Sequence, residues 1–108
     1  MVAYRADSQR LHLRYKMIYI KTNAEVELMR ESALLVSATL TEVAKFLQPG
    51  KTTLQVDTFA EEFIRDNKAT PSFKNLYGFP FATCISVNDA VVHGFPTNYI
   101  LQAGDIIS

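Results

Sequence analysis

The chain has 108 residues, 48% of them apolar and 20% charged, and eleven basic side chains balance eleven acidic ones. That composition excludes global disorder and leaves no general electrostatic footprint for nucleic acid. The lone cysteine, Cys84, excludes an internal disulfide and a multi-thiolate zinc site, and no apolar run is long enough to span a membrane.

The start of the chain is basic: Arg5, Arg10, Arg14, Lys16 and Lys21 stand against Asp7 alone. Residues 1–16 read as a flexible, solvated arm. An Arg-rich, acid-poor arm also suits organellar targeting, but the apolar stretch of a secretory signal is missing. Residues 17–108 read as one folded unit.

Thr22-Asn23-Ala24-Glu25 has the form of a capping box, in which hydroxyl and carboxylate each satisfy the other residue's backbone N–H. Val26, Met29, Ala33, Val36, Leu40, Val43 and Leu47 then recur at alternating steps of three and four. This spacing predicts one helix with that stripe facing the core. Pro49-Gly50 ends it. Thr52-Thr53-Leu54-Gln55 signals a second helix, with Val56, Phe59, Ala60, Phe63 and Ile64 as its apolar face and the acids toward its start. Pro71 blocks its continuation.

The period then changes. Phe73 to Pro80 is rich in turns and aromatics, and Phe81–Val87 and Ala90–His93 have strand composition. Asn88-Asp89 between them suits a tight hairpin turn, because Asn and Asp tolerate positive φ. Ile106 and Ile107 open a further strand at the end of the chain. The predicted class is α+β, two helices followed by antiparallel strands. The open edge of that last strand predicts self-association.

Few residues stand out chemically. Asp57, Glu61 and the other carboxylates read as helix-surface or turn residues, so no paired acid/base site is predicted. His93 ends a strand and precedes Gly94, where a ligand or another backbone can approach closely. It reads either as a backbone-bonded structural histidine or as a substrate contact. Cys84 reads as a small buried apolar residue or as a reactive thiol. Phe73, Tyr77, Phe79 and Phe81 read as core or as the lining of an apolar pocket.

One set of motifs resembles a known family. Pro49-Gly50-Lys51-Thr52-Thr53, Tyr77-Gly78-Phe79-Pro80, Cys84-Ile85-Ser86-Val87-Asn88, Val91-Val92-His93-Gly94-Phe95-Pro96 and Gly104-Asp105-Ile106-Ile107 follow one another as in type I methionine aminopeptidases. The likeness runs from about Met17 to Ser108. It implies the pita-bread fold, of which this chain would be the N-terminal half. It also implies a cytoplasmic metalloaminopeptidase that removes the initiator methionine from peptides and nascent chains. In that family two divalent ions (Co, Mn, Fe or Zn) activate a water that attacks the scissile carbonyl.

Residue by residue, the resemblance implies that His93 contacts the scissile amide and serves catalysis. Phe73, Leu76, Phe79 and Cys84 match positions lining the methionine side-chain pocket. Asn88 and the backbone carbonyl of Ala90 match a monovalent cation site. The family's metal ligands (two aspartates, a histidine and two glutamates) match no residue of the chain and are expected past Ser108, so these residues alone should hold no divalent metal and be inactive. Asp105 matches the turn before the metal-bearing strand, not a ligand. The alternative reading is a non-catalytic pita-bread fragment or a partner-binding module.

Overall fold

A computed structural model describes residues 18–108; the basic arm, residues 1–16, lies outside them. Two helices lead. Helix α1 spans Asn23–Phe46 and helix α2 spans Thr53–Asp66. Both predicted capping boxes form. In α1 the Thr22 N–H donates to Glu25 Oε2 at 2.8 Å, and the Glu25 N–H donates back to Thr22 Oγ1 at 3.3 Å. In α2 the equivalent bonds join Thr52 and Gln55 at 2.9 and 3.1 Å. The first turn of α2 is completed from far along the chain. The Thr53 N–H donates to the Tyr99 carbonyl and the Leu54 N–H to the Thr97 carbonyl, while Thr53 Oγ1 both donates to Thr97 O and accepts from Thr97 N–H. The four donors from Thr52 to Gln55 are thus all partnered, as a buried helix start requires.

Helix α2 buries the face predicted for it. Val56 and Ala60 are buried, and Phe59, Phe63 and Ile64 are half-buried. Phe59 stacks flat on Phe46 of α1, with ring centroids 4.4 Å apart, and Lys51 Nζ lies 4.8 Å from the centroid of the Phe46 ring. Val56, Ile85 and Leu101 form the core, with Val43, Phe46, Leu47, Val87 and Ile107 packed around them.

Helix α1 departs from the prediction. Of its seven-residue stripe only Val43 and Leu47 are half-buried; Val26, Met29, Ala33, Val36 and Leu40 are exposed. The face that α1 turns inward instead runs through Leu35, Thr39, Val43 and Phe46. The reason is length. At 1.5 Å per residue, the 24 residues of α1 extend well past the 14 of α2, so α2 covers only part of one side.

The strands also differ from prediction. No extended strand forms among the described residues. Two isolated antiparallel bridges, Thr52 with Ile100 and Val87 with Ile107, stand in their place. The expected turn at Asn88-Asp89 is present, with Asn88 at φ 55° and the Ala90 N–H donating to the Val87 carbonyl. The chain then bows outward, so Ile85 bonds to Gly94 and the two predicted strands do not zip together. Ile106–Ser108 pairs with Ser86–Asn88. Ser86 and Ser108 exchange both backbone bonds, at 2.7 and 2.9 Å. Such short pairings lack the further strands that a stable sheet needs. No helix among the described residues is long and apolar enough to cross a membrane.

Candidate substrate site

The loops after α2 carry the predicted site residues. Between Lys68 and His93 five non-glycine residues adopt left-handed backbone: Lys68, Asn75, Tyr77, Asn88 and His93. Asn and His are the types here that take that conformation most readily, and Lys68 takes it where local bonds to the Arg65 and Ile64 carbonyls close the end of α2. A clasp joins Cys84–Ser86 to His93–Phe95. The Ile85 N–H donates to the Gly94 carbonyl at 2.8 Å, and the Gly94 N–H donates to Ser86 Oγ at 3.1 Å. Cys84 and His93 therefore flank a bonded backbone pair. A methyl group on Gly94 would overlap the Ile85 carbonyl oxygen and sit 2.9 Å from Ser86 Cα. The close approach anticipated at Gly94 is thus to another stretch of backbone.

Around this clasp Phe79, Phe81 and Phe95 meet edge to face, with centroids 5.2 to 5.9 Å apart. Phe79 and Cys84 are half-buried, while Phe73, Leu76 and Tyr77 are exposed. The structure thus groups Phe79 and Cys84 with the His93 segment, while Phe73 and Leu76 lie exposed in the turn whose backbone bonds close onto Phe79. Phe95 joins the cluster and was not among the predicted lining residues. His93 is exposed at φ 55°, and its imidazole makes no hydrogen bond among the described residues. Two open grooves lie elsewhere, one beside Met29, Leu35 and Ala69 and one beside Phe46 and Phe59, and neither contains a predicted site residue.

Asn88 is committed to its surroundings. Its Nδ2 donates to Asp105 Oδ1 at 3.0 Å, and its Oδ1 accepts from the Ile106 N–H at 3.0 Å. Its side chain is therefore occupied; the exposed Ala90 follows in the same turn. The bond from Asn88, then that from the Gln102 N–H, hold the Asp105 carboxyl below its ordinary range. The same carboxylate, accepting from the Tyr99 hydroxyl at 3.1 Å, raises the Tyr99 phenol.

Two carboxylates that the sequence placed on the surface are drawn inward. Asp57 is only 5% exposed, and its Oδ1 accepts from the Thr83 N–H at 2.8 Å and the Thr83 hydroxyl at 2.6 Å. Glu61 receives Lys74 Nζ at 2.6 Å and Arg65 at 2.8 Å. The signal was available: Thr53, Val56, Asp57 and Ala60 share one buried stripe at helical spacing, so an acid on that stripe needs partners.

Lys74 first, then Arg65, hold the Glu61 carboxyl below its ordinary value. The folded chain thus binds fewer protons than the unfolded one. This contribution to stability is present above the unfolded value of about 4.3 and is lost as pH falls through the lower folded value. Asp105 acts in the same direction. The urea midpoint is expected to fall on acidification through that window, and Lys74→Met should shrink the fall.

The donor set does not fit a divalent metal pair: no three His, Cys, Asp or Glu side chains converge among the described residues. The family model for metallopeptidase family M24 matches residues 27–108. With α1, α2 and the loop clasp on the matched segment, the chain belongs to metallopeptidase family M24. Within it, the likeness is to methionine aminopeptidases. The chain is 50% identical over 92 residues to the methionine aminopeptidase of Clostridium perfringens, covering 85% of this chain and 37% of that protein. It is 45% identical over 92 residues to methionine aminopeptidase 1 of Bacillus subtilis, with the same coverage. Crystal structures of the methionine aminopeptidases from Thermotoga maritima (41% identical, TM-score 0.80) and Rickettsia prowazekii (34%, TM-score 0.82) superpose on 84% of this chain and on 37% of theirs. The chain thus shares their pita-bread fold over its matched part and spans a little over a third of their length.

Proposed function

We propose that the chain supplies the substrate-recognition part of a cytoplasmic metalloaminopeptidase that removes the initiator methionine from peptides and nascent chains. His93 would meet the scissile amide, and Phe73, Leu76, Phe79 and Cys84 would surround the methionine side chain. The observation that carries this reading is the exposed His93, without a side-chain hydrogen bond among the described residues and held by the Ile85–Gly94 pair beside the aromatic cluster. An unbonded imidazole keeps a donor and an acceptor for a substrate amide. Three packed phenylalanines give the apolar surface that a thioether chain prefers. Asn88 and the backbone carbonyl of Ala90 would stand beside a monovalent cation. The identity of the divalent ions follows from residues this chain does not bring together.

Two preparations test the proposal. The 108 residues as they stand should release no methionine from Met-Ala-Ser and should bind no pair of divalent ions by calorimetry. A chimera carrying the matched residues in place of their counterparts in the Clostridium perfringens relative should release methionine. An inactive chimera that is folded and metal-loaded would count against the proposal. We also infer self-association of the 108 residues alone, supported by Ile106 at 72% exposed and by the bare apolar stripe of α1. A single monomer peak in sedimentation at micromolar concentration would contradict it.

A further inference from the structure

Helix α2 holds two acidic residues one turn apart, Asp57 and Glu61, on the side that faces the loops. Like charges at that spacing repel weakly, and each acid here is met by donors. Apart from Arg65, which bonds Glu61 from the next turn of the helix, the donors come from the two ends of one loop. Asp57 takes both donors of Thr83, the residue before Cys84. Glu61 takes Lys74, the residue after Phe73. The capping boxes of α1 and α2 use neither acid.

We propose that Asp57 and Glu61 are positioning residues that set the spacing between the Phe73 and Cys84 walls of the methionine pocket. This rests on the proposed function, and deepens it by assigning side-chain selectivity to a rigid helix behind the loop. Residues 74–83 contain left-handed Tyr77, which local preference disfavours, so this stretch is not fixed by local preference alone. The Asp57 and Glu61 bonds pin both ends of that stretch to a single helical turn. Bonds to an ionised acceptor are the stronger kind, which suits them to this task.

The first test needs no catalysis. In the 108-residue chain, Asp57→Ala should lower amide-exchange protection at Thr83 by roughly tenfold or more, since a bond to a charged group is lost. Asp57→Asn, whose amide oxygen can accept both bonds, should retain most of it. Protection unchanged in Asp57→Ala would overturn the clamp, even if the unmodified chimera proved inactive.

The second test uses the active chimera. Asp57→Ala and Glu61→Ala should each raise KM for Met-Ala-Ser by about tenfold, affect kcat less, and narrow the preference for methionyl over leucyl peptides. Asp57→Asn should rescue that preference. If Asp57→Ala fails to fold, Thr83→Val removes one of the two donors and reports the same ratio. A lowered melting temperature with an unchanged methionine-to-leucine ratio would make both acids purely structural and overturn the proposal. An unmodified chimera without methionine release, by contrast, would count against the proposed function, leaving the exchange result to decide the clamp.

Discussion

Replacing His93 with asparagine in the chimera is expected to lower kcat by about 100- to 1,000-fold, the usual cost of losing one donor to a developing oxyanion. Asparagine is the informative replacement. His93 sits at φ 55°, a conformation that asparagine tolerates and alanine does not. His93→Ala would mix the loss of the imidazole with backbone strain. The imidazole has no bonding partner among the described residues, so its removal breaks no internal contact there. The melting temperature of His93→Asn should therefore stay within a degree or two of the parent, on the scale by which surface changes act. Steady-state kinetics and a melt on one preparation separate the outcomes. Near-normal kcat would remove His93 from the chemistry.

Gly94→Ala is expected to act in the opposite way, through the fold. The added methyl would overlap the Ile85 carbonyl and crowd Ser86 Cα, and both are backbone atoms without a rotamer to yield. The Ile85–Gly94 and Gly94–Ser86 bonds must then open. Overpacking together with two lost bonds costs about 3–5 kcal/mol, a large fraction of a small domain's stability. In the 108 residues, protection at Ile85 should vanish while the amides of α1 and α2 keep theirs. In the chimera, activity should disappear along with the folded loop. A variant that melts like the parent would show that the clasp is looser than its geometry indicates.

Local signals were legible in the sequence. Thr22 with Glu25 and Thr52 with Gln55 form the boxes their spacing announces, because both partners lie within one turn. The turn at Asn88 was legible for the same reason. What depends on distant partners was not. The periodicity of α1 says that Val26, Met29, Val36 and Leu40 want a partner, but not whether these residues supply one. The composition of Phe81–Val87 suits a strand, yet a strand needs neighbours to bond to, and the bow between Ala90 and His93 withholds one. Asp57 was misjudged because polarity was weighed above position: it lies on the buried stripe, and its partner is 26 residues away. At the site, one backbone bond sets the Cys84 and His93 segments side by side, and Phe73, Leu76 and Phe79 share one bonded turn whose Phe79 meets Phe95. The role of each rests on the proposal.

The long-range bonds at the start of α2 also set an order of events during synthesis. Thr53 and Thr97, which clasp each other, are 44 residues apart. At about 5–20 residues per second, roughly 2–9 s pass between their additions to the growing chain. During that interval the Thr52–Gln55 box is the only partner made locally for the first turn of α2. The boxes thus let both helices stand before the loops that need them exist. The loop segments, whose partners are distant in sequence, then dock onto the two helices. The helical pair is the natural early unit of folding, and the loop bearing His93 is the late one.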